Sequence, residues 1–425
     1  MIPVDTVVRN IGCLVNPGSD RGARGREADT LRVLEDACIG SSQGRIAFLG
    51  TEKECRGRWR LQPGGMELDA GGKLVLPGLV DPHTHLPFAG TRQDEFQLKL
   101  QGVSYQEIAR RGGGIKGTVR KTREIPLPDL VATCQERLDR MLLSGTTTLE
   151  AKSGYGLDLD GELKQLRALR EVSGRHPSTI VSTFMGAHEI PDEFRGRSRE
   201  FLDRLLAEVL PRVREEGLAE FVDIFCEEGY FSYEDAEYYL QRAAQAGFRL
   251  KMHADEFTSN NAAELAARLH AVSAEHLIAI RPEEIARIAA SDTVCVLLPG
   301  VSFFLRLGRY APAREILASG GLLALGTDFN PGSSMISSQL FIFHLGVYQM
   351  GMTIEQALNA VTINAACAIG RQHRVGSLAE GKDMDLLVMD VPDHRYLAYH
   401  PGIEPVHTVL KGGKPVVRER RVAAR

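Results

Sequence analysis

Five short segments place imidazole and carboxylate side chains where apolar runs end. They are Asp81-Pro82-His83-Thr84-His85, Gly186-Ala187-His188-Glu189, His253-Ala254-Asp255-Glu256, Glu275-His276 and Gly326-Thr327-Asp328-Phe329-Asn330. Side chains alternate along an extended chain, so His83 and His85 share one face. With His253 and Asp328 they make a set of three nitrogen ligands and one oxygen ligand, which suits zinc or non-haem iron better than magnesium or calcium. An ion in such a set can lower the pKa of its water to about 7 and make hydroxide near neutral pH. Asp328 is then the candidate to hold that water and shuttle its proton. His276 is the candidate to polarise a carbonyl under attack, and Glu256 to act as general acid/base or to accept a substrate N–H. A lone H-x-H carries little weight in a chain with twelve His. The weight comes from five His and one Asp falling at five separate run ends, which argues for hydrolysis by a metal-activated water.

Two further groups stand close to these segments. Arg92 follows Phe88-Ala89-Gly90-Thr91, and Tyr155 lies in Lys152-Ser153-Gly154-Tyr155-Gly156. Arginine offers a bidentate fork for a carboxylate and tyrosine a hydroxyl donor, so both are candidates to bind an anionic substrate. Lys152 raises the alternative of a carboxylated lysine bridging two metals. Its place after the second run, where the fourth would be expected, favours a single ion. The Gly112-Gly113-Gly114 run lacks the spacing of a phosphate loop. His176, His270, His344, His373, His394, His400 and His407 lie in helical, loop or terminal stretches and are read as structural.

The elements that must carry these residues are eight short apolar runs alternating with helical patterns. The runs are Lys73–Val80, Thr146–Glu150, Thr179–Phe184, Phe221–Phe225, Phe248–His253, Ala271–Glu275, Thr293–Leu298 and Leu322–Gly326. Runs of this kind read as strands of a parallel sheet buried on both faces. Between them, Pro128–Leu143 and Glu162–Val172 carry apolar residues at helical spacing. Eight such repeats argue for an α/β fold, a (β/α)8 TIM barrel with its active site at the C-terminal strand ends. The connection from Leu86 to Gly145 is too long for one crossover helix and includes Arg110-Arg111-Gly112-Gly113-Gly114. It is expected to form a lid or pocket wall over residues 86–127. Both chain ends are rich in strand and turn signals, including Asp385–Met389 and a hairpin from His407–Leu410 to Pro415–Val417. A small β-sandwich built from residues 1–72 and 375–425 is expected to flank the barrel over 73–374. Gly18–Asp29 is polar and rich in Arg and Gly, which predicts a mobile loop.

Composition excludes several functions. With 43% hydrophobic and 25% charged residues and a net charge of −4, the chain has no basic footprint for nucleic acid. No run has the roughly eighteen apolar residues of a membrane span, and Met1–Asp20 lacks the pattern of a signal peptide. The seven scattered cysteines form no C-x-x-C pair. A cytoplasmic enzyme with reduced thiols is expected.

The motifs resemble those of the imidazolonepropionase family within the amidohydrolase superfamily. The resemblance runs through Asp81-Pro82-His83-Thr84-His85, Phe88-Ala89-Gly90, Gly112-Gly113-Gly114-Ile115, Lys152-Ser153-Gly154-Tyr155-Gly156-Leu157, Gly186-Ala187-His188-Glu189, His253-Ala254-Asp255-Glu256 and Gly326-Thr327-Asp328-Phe329-Asn330-Pro331-Gly332. It implies hydrolysis of the ring amide of 4-imidazolone-5-propanoate to N-formimidoyl-L-glutamate, the third step of histidine degradation. It also implies one Zn2+ or Fe3+ (or Fe2+) on His83, His85, His253 and Asp328, with His276 as the catalytic partner. Arg92, Tyr155, His188 and Glu256 would contact the substrate, and Asn330, Gly332 and Ser333 the product. A homodimer is the family expectation. Two other readings compete. A deaminase of a purine or pyrimidine ring would share the metal set but would not need Arg92 with Tyr155, and a catalytically silent scaffold would have lost ligands that are all present here.

Overall fold

The structure is a computed structural model that describes residues 1–103, 107 and 113–423. Eight parallel strands form one sheet: Leu79–Asp81, Thr146–Lys152, Thr179–Ala187, Phe221–Cys226, Arg249–Ala254, Ser273–His276, Val294–Leu297 and Leu323–Leu325. Nearly every residue in them is buried, as continuous apolar runs require when helices cover one face and packed side chains the other. A parallel bridge between Thr84 and Phe329, just beyond the first and eighth strands, brings the sheet round into a barrel. Helix Leu127–Leu143 buries the face expected from its spacing, with Leu130, Val131, Cys134, Leu138, Met141 and Leu142 turned inward. Helix Leu159–Ser173 starts where the Asp158 carboxylate accepts the Gly161 N–H at 2.6 Å, an N-cap that satisfies one of the free donors of the first turn.

Both chain ends enter a second, mixed sheet of nine strands. Leu74–Pro77 joins its two parts, running parallel to Ile2–Pro17 and antiparallel to Leu386–Met389. The expected C-terminal hairpin is present as Val406–Lys411 and Lys414–Arg418. Gly412 and Gly413 both adopt the positive φ that its two-residue turn demands.

Two expectations are corrected. The run Lys73–Val80 is two strands in two sheets. Pro77 has no N–H to give a ladder, and Gly78 donates its own to the Asp385 carbonyl of the terminal sheet at 2.9 Å. A Cβ on Gly78 would lie 2.3 Å from the Thr147 hydroxyl, so only glycine lets the chain cross here from one sheet to the other. The stretch Gly18–Asp29 is a packed segment rather than a free loop. Ala23 and Ala28 are buried, and Arg24 bridges to Leu322 at the entry of the eighth strand. Asn364 holds the Ala23 backbone through both its N–H and its carbonyl, and Asn359 holds the Ala28 carbonyl.

The long connection after the first strand contains helices Gln93–Leu100 and Ile115–Glu124. Arg110, Arg111 and Gly112 lie outside the described residues. Among the described residues, no helix is long and apolar enough to cross a membrane.

Candidate metal centre and its pocket

His83 and His85 follow the first strand and meet in the buried interior, their Nε2 atoms 3.3 Å apart. Asp328, from the loop after the eighth strand, brings Oδ1 to 3.2 Å from His83 Nε2 and 3.3 Å from His85 Nε2. His253, at the end of the fifth strand, completes a cluster in which the three His place ligand atoms within 4.8 Å of one another. Backbone bonds across the closing seam hold this register: Asp328 donates its N–H to the His83 carbonyl and His85 donates to that of Phe329, both at 3.0 Å. Asp328 has φ +49°, a strained conformation for a non-glycine residue that the surrounding bonds sustain.

The far sides of two rings are gripped by acids. His253 Nδ1 lies 3.1 Å from Asp223 Oδ1, and His83 Nδ1 contacts Glu275. Such partners select the tautomer with Nε2 free to ligate. Nε2 of His253 and Oδ1 of Asp328 are buried and take part in no hydrogen bond, which would be costly in a site that bound nothing. Burial pushes His85 down to about 3 and His253 to about 4, so both rings stay neutral with a lone pair to offer. Burial raises the Asp328 carboxyl above the ordinary range. The donor set and its unsatisfied atoms therefore fit a divalent metal ion.

A cavity of about 330 Å3 opens above the cluster. Of the residues singled out in the sequence, His85, Arg92, Tyr155, His188, His253, Glu256, His276, Asp328, Asn330, Gly332 and Ser333 all line it. His83 lies fully buried below them. None of the seven histidines read as structural reaches the cavity wall. His276, at the end of the sixth strand with φ +74°, sets Nε2 3.6 Å from Glu256 Oε2. Burial lowers His276 to about 3. Burial, with the charges of Asp328 and Glu227 adding to it, holds the Glu256 carboxyl well above its ordinary value.

On one wall, His188 stacks against His85 with ring centres 5.0 Å apart and points Nδ1 at the Gly154 carbonyl, 3.0 Å away. The φ of +113° at Gly154, and the 2.9 Å that would separate a Cβ there from His188 Nδ1, both require glycine. Elsewhere in the lining, Arg92 pairs with Glu95 at 2.8 Å. The Asn330 side chain ties its own loop together, accepting from the Gly332 and Ser333 amides and donating to the Asp328 carbonyl and the Ser333 hydroxyl. The described part of the long connection does form pocket wall, through Arg92, Lys99 and Ile115.

Sequence reasoning missed Lys99, Phe225, Tyr230 and Phe257 in the wall, and the acids Glu150, Asp223 and Glu275 behind the ligands. A signal for the acids was available. Asp223 shows it most clearly, a lone carboxylate inside the apolar strand Phe221–Cys226, where an unpaired charge would not survive burial.

Comparison with known proteins supplies the relatives. Residues 74–416 match the amidohydrolase family. An imidazolonepropionase of Bacillus velezensis is 46% identical over 420 residues, 99% of each chain. One from Symbiobacterium thermophilum is 46% identical over the whole of both chains. Among solved structures, a zinc-bound adenosine deaminase of Xanthomonas campestris superposes with a TM-score of 0.70 at 21% identity, covering 100% of this chain and 95% of that one. Guanine deaminase of E. coli gives 0.68 at 16%, covering 97% and 99%. At such identities these two describe a shared fold alone.

Proposed function

Because the chain belongs to the amidohydrolase family and, within it, to the imidazolonepropionases, we propose that this pocket binds 4-imidazolone-5-propanoate and opens its ring amide with water. The product is N-formimidoyl-L-glutamate, and the reaction is the third step of L-histidine degradation. The chain is thus a hydrolase of carbon–nitrogen bonds in cyclic amides. The observation that carries the reading is the pairing, in one pocket, of a cluster fit for a metal with an arginine and a tyrosine suited to a carboxylate.

His83, His85, His253 and Asp328 would hold one ion, zinc or iron, as three imidazoles and a carboxylate favour. The ion would supply Lewis acidity toward the ring carbonyl and lower the pKa of the attacking water. Arg92 and Tyr155 bind the propanoate and fix the ring, and His188 packs against it. His276, kept neutral by burial, donates a hydrogen bond to the carbonyl oxygen, which becomes more negative as the bond to water forms. Asp328 takes the proton of the attacking water, its Oδ2 held 3.3 Å from the Ser333 hydroxyl. Glu256, whose carboxyl burial holds well above its ordinary value, delivers a proton to the ring nitrogen as the C–N bond breaks. That nitrogen stays in the product as part of the formimidoyl group. Asn330, Gly332 and Ser333 shape the loop on which the new carboxylate rests.

The test is turnover of 4-imidazolone-5-propanoate by protein of known metal content, followed by loss of the ring's ultraviolet absorbance. Turnover abolished by a chelator and restored by zinc or iron is expected. A fully metallated protein that leaves this substrate intact but deaminates a purine or pyrimidine would overturn the reading.

A further inference from the structure

Behind the ligand cluster lie five charged side chains with no solvent exposure: Glu150, Lys152, Asp223, Lys251 and Glu275. Burying ions costs several kcal/mol each, and well-packed apolar residues would often give equal stability. A cluster of this kind therefore calls for a role beyond holding the barrel together. Lys251 spends its ammonium on Glu275 at 2.8 Å and on the carbonyls of Pro82 and Ala368. Lys152 divides its own between Glu150 at 2.6 Å and Asp223 at 2.9 Å, with Glu275 at 3.5 Å. Glu275 thus has two ammonium partners. Among the described residues, Asp223 has one, Lys152, and its only other ion-pair partner is His253.

The two oxygens of Asp223 have separate duties. Oδ2 faces Lys152, while Oδ1 accepts from the Ile224 amide at 2.7 Å, the His253 amide at 3.2 Å and the His253 ring at 3.1 Å. An imidazole that donates from Nδ1 keeps its lone pair on Nε2. Nε2 of His253 is buried without a hydrogen-bond partner, and Asp223 Oδ2, which accepts no hydrogen bond, is held by the charge of Lys152. We propose that Lys152 is a positioning residue for the metal centre: by anchoring Oδ2 of Asp223 it aims Oδ1 at the His253 ring and so fixes Nε2 toward the other ligands. Lys152 touches neither the cluster nor the cavity. It acts two contacts away, through a carboxylate.

This inference rests on the metal-site reading above, and the experiment separates the two. Zinc affinity is measured by chelator competition, the visible spectrum is taken with Co2+ in place of zinc, and thermal unfolding is followed without metal. The proteins are the wild type, Lys152→Met, Asp223→Asn and the double variant. A wild type that binds no zinc or Co2+ would overturn the metal site itself. With metal bound by the wild type, each single variant is expected to weaken zinc binding by about 10–100-fold, the usual loss for a ligand's supporting residue, and to alter the Co2+ bands. The double variant is expected to bind within about threefold of Asp223→Asn, because residues in one chain of contacts do not add. Folded Lys152→Met with wild-type affinity and an unchanged Co2+ spectrum would overturn the proposal. Should Lys152→Met not fold, the double variant decides, since it removes one ammonium and one carboxylate and keeps the cluster's net charge. A further fall of about tenfold below Asp223→Asn there would show Lys152 acting by another route, and the proposal would be wrong.

Discussion

Nη1 of Arg92 occupies the space beside Gly332 where a side chain would begin: a Cβ built on Gly332 stands 2.5 Å from it. The guanidinium proposed to bind the substrate carboxylate is thus seated against a bare backbone in the loop after the eighth strand. Gly332→Ala should push Arg92 out of place and raise KM by about tenfold, roughly 1.4 kcal/mol, with kcat little changed. The carboxylate is held alike in the ground and transition states, so losing its clamp costs uniform binding. Steady-state kinetics check this, and a fall in kcat at unchanged KM would contradict the seating.

His276→Ala should leave the metal bound and lower kcat by about 100- to 1000-fold, the loss typical of one donor to a developing oxyanion. Metal content by elemental analysis and turnover on the same sample decide the matter. Full activity in the metallated variant would remove His276 from the reaction.

Acid should destabilise the folded protein through histidines kept neutral by burial. His188 and His276 are each pushed down to about 3 from an ordinary 6.5. Above pH 6.5 neither state binds the extra proton and stability is full. As pH falls below 6.5 the unfolded chain takes up protons that the folded chain refuses, so stability drops across the window from 6.5 to about 3. At pH 5.5 each such His costs about 1.4 kcal/mol. Denaturant unfolding of metal-free wild type and His188→Gln at pH 7.5 and 5.5 should show a smaller pH penalty in the variant.

Metal removal should lower the unfolding temperature. The four candidate ligands come from the ends of the first, fifth and eighth strands, so an ion there binds the folded barrel and not the open chain. Stabilisation of about 4 kcal/mol follows when free metal exceeds Kd a thousandfold. Calorimetry with and without chelator measures it, and an unchanged Tm would argue against tight binding at this site.

What could be read from the sequence was what alternation and run length encode. His83 and His85 fell on one face because an extended chain repeats every two residues, and just past the end of the first strand they meet in space. Asp328 and His276 stood out as polar groups ending apolar runs. Pairings between strands were harder to see. Nothing in the spacing of Lys152, Asp223 and Glu275 reveals that they share a cluster, because those contacts depend on how neighbouring strands stagger. The run Lys73–Val80 is apolar throughout, so hydrophobicity could not say that its two halves serve different sheets. Pro77-Gly78 was the available mark. Gly18–Asp29 misled through its arginines, since two small alanines and the amides of Asn359 and Asn364 hold it in place.

The terminal sheet has a consequence for how the protein is made. Asn16 is hydrogen-bonded through its amide to Leu378, 362 residues further along the chain. Leu74–Pro77 likewise waits for Leu386–Met389. On a ribosome moving at roughly 5–20 residues per second, the N-terminal strands emerge on the order of tens of seconds before their partners exist. Through that interval Leu74–Pro77 presents an unpaired edge, the kind of surface on which nascent chains aggregate. The barrel strands can all be made while the second sheet is still half built, its early edge open until Leu386–Met389 arrives to cover it.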